Sequence, residues 1–99
     1  MNTSTGFRLE TVTPSTLAVH GVLDFDTAAA ALAALRAALD DGVAELDLAG
    51  VSHSDSAGLA CVLAAVAEAN GHGRTLRVVG MPAGMRALAQ VCEVDTLLA

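Results

Sequence analysis

Apolar and polar residues alternate with a period of two at the start of the chain. Phe7, Leu9 and Thr11 fall on one side and Arg8, Glu10 and Val12 on the other, and the alternation resumes over residues 16–23 after a Thr13-Pro14-Ser15 turn. Two such runs joined by a proline turn predict an antiparallel strand pair. Asp24, Asp26 or Thr27 can then cap a helix reaching about Asp40, with Leu32, Leu35 and Leu39 on one face, alanines on the other and Gly42 as its stop. Residues 43–48 read as another strand, with Leu46 and Leu48 pointing one way and Glu45 and Asp47 the other, so its sheet is expected to be covered on one face only. From Ser56 to Asn70 the residues Leu59, Val62, Leu63 and Val66 trace a helical stripe that Gly71 and Gly73 terminate. A strand over 75–79 follows, then a short helix opened by Pro82 with Met85, Leu88 and Cys92 inward, and a last helical turn around Val94, Leu97 and Leu98.

The order β-β-α-β-α-β-α contains two strand–helix–strand units, which close right-handed and set neighbouring strands parallel. Loops that follow parallel strands gather at one edge of the sheet. Residues 23–27, 49–56 and 80–82 are therefore expected to converge, and Asp24, Asp26, Asp55 and Ser56 to share one surface.

Length and composition narrow this picture. A chain of 99 residues makes one domain over 1–99, with no linker or repeat and only an alanine bias. With 54 % hydrophobic residues, only Phe7 and Phe25 as aromatics and no Trp or Tyr, the core must be aliphatic, and aromatic stacking on bases is not on offer. Eleven acidic residues face five arginines and no lysine, a formal net charge of −6. That balance argues against nucleic acid and anionic membrane as partners. The start of the chain lacks a signal-peptide pattern and no apolar run is long enough to cross a bilayer, so the expected location is the cytoplasm, without direct membrane insertion. Cys61 and Cys92 lack metal or redox spacing and read as small buried side chains.

Several chemistries are weakly supported. A hydrolase would need Ser54 or Ser56 with His53 and an aspartate, but no G-x-S-x-G elbow is present. His20, His53 and His72 have no ligand spacing, and neither Gly71-His72-Gly73 nor Gly80-Met81-Pro82-Ala83-Gly84 carries a phosphate-loop or dinucleotide pattern. No metal, cofactor or catalytic residue is assigned, and the chain is expected not to be an enzyme. Ser56 stands where a strand hands over to a helix, beside free N–H groups and the positive end of the helix dipole, where it competes with Asp55 as cap or serves as an acceptor of phosphate. Phosphate there would meet Asp55, Asp24 and Asp26 with no lysine to neutralise it, and would disturb a docked partner more than the fold. Ala29, Ala30, Ala33 and Ala37 on the first helix, and Ala60, Cys61, Ala64 and Ala65 on the second, are expected to leave small-residue faces that a partner can approach closely.

Two segments carry a family resemblance. Gly21-Val-Leu-Asp-Phe-Asp-Thr-Ala28 resembles the Gly-x-Leu-Asp-x-x-Thr-Ala segment of STAS domains, and the run from Leu46 through Asp-Ser-Ala-Gly-Leu59 resembles their strand followed by Asp-Ser/Thr-small-Gly-Leu. The resemblance implies an α/β STAS fold, a mixed four-stranded sheet with helices packed mainly on one face. In one branch, the anti-sigma factor antagonists, Ser56 matches the position phosphorylated by a serine kinase that is also the anti-sigma factor, and Asp24 matches the acidic residue facing it. In the other, the STAS subunit of Mla-type phospholipid-transport ABC systems, the domain binds the cytoplasmic ATPase subunit at the inner face of the membrane. The end of the chain soon after Leu98, and the likeness of residues 76–89 to the transporter branch, favour the second. Topology, the small-residue helix face and the resemblance of Ser56 and Asp24 to family positions together give an expected partner surface of Ser56, Asp24, Asp26, Asp55, Ala57, Gly58, Ala60, Cys61 and Ala64.

Overall fold

The computed structural model describes residues 6–40 and 42–98; residues 1–5, Asp41 and Ala99, and with them the expectation placed on the polar start, lie outside the described residues. The elements are β1 (Phe7–Thr13), β2 (Thr16–Leu23), α1 (Ala28–Ala38), β3 (Glu45–Ser54), α2 (Ser56–Gly71), β4 (Arg77–Val79), α3 (Ala83–Val91) and a 3-10 turn (Asp95–Leu98). One mixed sheet runs β1-β2-β3-β4, with β1 antiparallel to β2, and β2, β3 and β4 mutually parallel. The connections dictate this. Pro14 and Ser15 leave room only for a tight reversal, whereas the helical connections α1 and α2 return the chain to a parallel neighbour.

The period-two pattern sorts the sheet into two faces. Leu17, Val19, Leu46, Leu48 and Val51 are buried in the core beneath the helices. Arg8 and Glu10 stand on the other face, where His20 Nε2 lies 2.7 Å from Glu10 Oε1 and Arg77 pairs with Glu45. The largest fully buried side chains are Leu23, Leu35, Leu46, Leu48, Met85, Val19 and Val62, so the core is aliphatic as the composition requires, and no polar or charged residue is buried among the described residues.

Three boundaries and one side-chain placement differ from the sequence reading. β3 extends to Ser54 instead of ending at Leu48, because it bulges twice against β2. Between Ala18 and His20, β2 advances two residues while β3 advances three, and between Gly21 and Val22 one against two. Each extra residue breaks the alternation and hides the strand. α1 ends at Ala38, since Leu39 turns extended and its carbonyl, with that of Asp40, receives the Arg74 guanidinium (Nη1 to Asp40 O, 2.7 Å). β4 is only three residues long. Cys92 caps the end of α3 and is exposed rather than inward, because Ala89, one helical turn beyond Met85, takes the buried place.

Candidate interaction site

Asp55 alone separates β3 from α2, and it organises the junction. Its Oδ1 accepts from the Ala57 and Gly58 N–H groups (2.9 and 3.2 Å), its Oδ2 accepts from the Phe25 N–H (3.1 Å), and its own N–H donates to Leu23 O (3.3 Å). Burial pushes the Asp55 carboxyl up, but the N–H groups of Gly58, Phe25 and Ala57, with His53 nearby, outweigh it and hold the group below its ordinary value. The capping contest left open by the sequence is thereby decided. Asp55 is the N-cap, and Ser56, the first helical residue, is exposed with no side-chain hydrogen bond to any described residue.

The turn from β2 into α1 is built with equal economy. Asp24 Oδ1 accepts from the Asp26 and Thr27 N–H groups (2.9 and 3.2 Å), while Thr27 Oγ1 accepts from the Asp24 N–H and donates to Val22 O (both 2.9 Å). Thr27 is positioned at the N-cap of α1 but spends its hydroxyl on this turn rather than on the helix. The turn lifts Phe25 into solvent with 84 % of its surface exposed. Sequence reasoning missed this residue. The signal was a large apolar side chain between two aspartates, just where the strand alternation stops.

The Phe25–Asp55 hydrogen bond joins the two junctions, so Asp24, Asp26, Asp55 and Ser56 do gather at one end of the sheet. Residues 80–82 do not join them. β4 stops opposite Asp47, and Gly80 (φ +68°) lies against Asp47 and Ala49 near the middle of β3. Two members of the expected surface are also buried. Gly58 faces inward, where a Cβ would fall 2.1 Å from Leu23 O, so glycine permits α2 to start this close to β2. Cys61 is only 3 % exposed, and burial pushes its thiol up, which leaves it a packing group. Ala65 is buried as well. Cys61 and Ala65 lie on the side of α2 turned to α1, whose Arg36 pairs with Glu68 (Nε to Oε1, 2.8 Å). Ala60 is exposed, Ala57 and Ala64 are half-buried, and with Ala28, Ala29 and Leu32 they line a shallow apolar groove of about 370 Å³ between the helices, whose floor includes Cys61. Ala30, Ala33 and Ala37 of α1 are exposed as expected.

The three histidines are spread over the fold. His53 is exposed on β3 and makes no hydrogen bond with Ser54 or Ser56; His20 faces Glu10; His72 ends α2. Among the described residues no group of three or more His, Cys, Asp or Glu side chains is placed to hold a metal ion, and no helix is long and apolar enough to cross a membrane.

Fold and site together define a small α/β interaction domain, its mixed sheet open on one face and its serine-led helix start set beside an acidic turn. The chain belongs to the STAS domain family: the family model described as "Mlab, STAS domain" matches residues 9–99. Among solved structures, it is similar to the anti-sigma factor antagonist SpoIIAA in its unphosphorylated form (25 % identity, TM-score 0.63, covering 85 % of this chain and 81 % of that one). It is also similar to the Bacillus cell fate determinant SpoIIAA in the phosphorylated form (22 % identity, TM-score 0.67, covering 94 % and 88 %). No curated protein matches the sequence. Family membership and the SpoIIAA-like fold support a protein-interaction role.

Proposed function

We propose that this chain is a non-enzymatic cytoplasmic module that binds and regulates the ATPase subunit of a phospholipid-transporting, Mla-type ABC system, using the end of the sheet around Ser56 as its contact surface. The observation that carries this reading is the unused hydroxyl. Asp55 performs the capping, so Ser56 is left exposed and free to meet a partner. Asp24, Asp26 and Asp55 set the local charge, and Ala57, Ala60 and Ala64 allow close approach. The family match described as Mlab supports an ATPase as that partner. The test is binding between the purified chain and the ATPase subunit encoded with its own transporter. Ser56→Asp adds one negative charge to an acidic rim and should weaken the complex at least tenfold with an unchanged melting temperature. No complex, or equal affinity for the variant, overturns the reading.

A second reading is an anti-sigma factor antagonist switched by phosphorylation of Ser56, and it is favoured by the similarity to SpoIIAA, a protein solved in both phosphorylated and unphosphorylated forms. A phosphate on Ser56 would find the Ala57 and Gly58 N–H groups already taken by Asp55. It would add charge to the surface without gaining those donors, which suits release of a partner better than ordering of a loop. Incubation with the anti-sigma factor serine kinase and ATP should add one phosphate to the wild type and none to Ser56→Ala. Absence of transfer removes this reading.

A further inference from the structure

We infer that Phe25 is the anchor of the docking surface, and that the partner element it fits is an amphipathic helix with an apolar face flanked by basic side chains. The inference rests on the proposal that this end of the molecule is a contact surface, and not on the identity of the partner. Phe25 is one of two aromatic residues in the chain, and it lies outside a core that has room for Phe7 against it. Its exposure is imposed by the backbone. The Phe25 N–H is tied to Asp55 Oδ2, and the turn on either side is closed by Asp24 Oδ1 and Thr27 Oγ1. A partner that buries the ring therefore meets a main chain that needs no further ordering, and aromatic side chains, Phe among them, are enriched at the cores of interfaces.

The groove between α1 and α2 supplies the rest of the footprint. It opens at the first turns of both helices, directly beyond the turn that holds Phe25, and its walls are Ala28, Ala29 and Leu32 on one side and Ala57, Ala60 and Ala64 on the other. Its floor is small enough for a helix to lie close. Both walls are helices whose backbone groups bond internally, so the groove has no free N–H or C=O row for an added strand, and recognition there must be made by side chains in a helix-in-groove mode. Charge selects the partner further. Asp24, Asp26 and Asp55 stand at the head of the groove, no arginine lines it, and the chain has no lysine, so complementary flanks are Lys or Arg.

The test uses a synthetic helical peptide with leucines on one face and lysines on the other, titrated into the isotope-labelled protein. The expected result is a set of amide shifts confined to the Phe25 turn and the facing sides of α1 and α2, an affinity lowered at least tenfold by Phe25→Ala and kept by Phe25→Trp, and no binding when glutamates replace the lysines. Phe25→Ala should melt with the wild type, because the ring contributes no core packing. Failure of the peptide to bind, shifts on the open face of the sheet, or equal affinity for Phe25→Ala overturns the inference. The transporter ATPase is tested separately: if it does not bind while the peptide does, the transporter reading falls and the anchor stands.

Discussion

Replacement of Gly58 by alanine sets two physical effects against each other at the heart of the site. Gly58 lies in the first turn of α2, where alanine is a better helix former by about 1 kcal/mol, so propensity alone predicts stabilisation. The packing predicts the opposite. A Cβ at this position would sit 2.1 Å from Leu23 O, 2.9 Å from Leu23 C and 3.0 Å from Leu23 Cβ. Restoring van der Waals contact with the carbonyl oxygen requires an opening of more than about 1 Å. Leu23 cannot supply it cheaply, since its carbonyl is held by the Asp55 N–H and its strand is paired with β3 at Ser54. Overpacking against a backbone that resists costs about 3 kcal/mol, so the net loss after the propensity gain is about 2 kcal/mol. For a domain of this size that lowers the melting temperature by roughly 10 °C. Gly84, in the first turn of α3, is the control: nothing lies within 4 Å of its Cβ position, so Gly84→Ala should keep the propensity gain and melt several degrees higher. Thermal unfolding followed by circular dichroism reads both variants. If Gly58→Ala melts with or above the wild type while Gly84→Ala is stabilised, the close approach of α2 to β2 is not what the glycine serves, and the account of this junction is wrong. Because the same displacement carries Asp55 and Ser56 with it, Gly58→Ala should also weaken partner binding.

Three further outcomes follow from the same contacts. Both α2 and α3 end in the same hydrogen-bond pattern (Arg74 N–H to Ala69 O, Val94 N–H to Ala89 O, both 2.9 Å), but the left-handed position is Gly73 (φ +75°) in one and Glu93 (φ +59°) in the other, so Glu93→Gly should stabilise by about 1 kcal/mol and Gly73→Ala destabilise by a similar amount in denaturant titrations. The Asp55 carboxyl has a folded pKa below its unfolded one, so its contribution is complete above the ordinary carboxylate range and is lost as pH falls through the lowered folded value; melting temperatures of Asp55→Asn should therefore fall less steeply than those of the wild type below pH of about 4, and parallel curves would refute the assignment. A thiol-reactive dye should label one cysteine per folded chain, the exposed Cys92, and both only in denaturant, since Cys61 is buried and its thiol pushed up; rapid labelling of both would place α1 away from α2.

What could be read in the chain, and what could not, divides along physical lines. β1, β2 and the inner faces of α1 and α2 were legible because Leu, Val and Phe recur at two- or helix-spaced intervals, and a period survives whatever the partner element is. β3 beyond Leu48 was not, since two bulges against β2 destroy the period where the strand continues. Alanine is mute in the same way: Ala65 and Ala69 are buried between helices while Ala30 and Ala33 face water, and nothing in the residue distinguishes them. Helix ends show a similar split. Gly73 announces a left-handed stop, but Glu93 occupies the equivalent position at the end of α3 and reads as an ordinary polar residue.

The sequence placed Asp24, Asp26, Asp55 and Ser56 at one end of the sheet without showing how the hydrogen bonds there are divided among them. Asp55 and Ser56 are both good caps, and composition cannot say which one the helix uses. The deciding fact is tertiary. Only the residue that is still extended at the end of β3 can turn one carboxylate oxygen back onto the Ala57 and Gly58 N–H groups while the other reaches the Phe25 N–H of a different turn, and that residue is Asp55. The Asp55 carboxylate thus does two jobs with three hydrogen bonds, and the consequence runs outward from it: Ser56 keeps an unengaged hydroxyl, and Phe25 is held in water by the turn. With Asp55 spent on structure, Ser56 and Phe25 are left exposed for the partner contact proposed above.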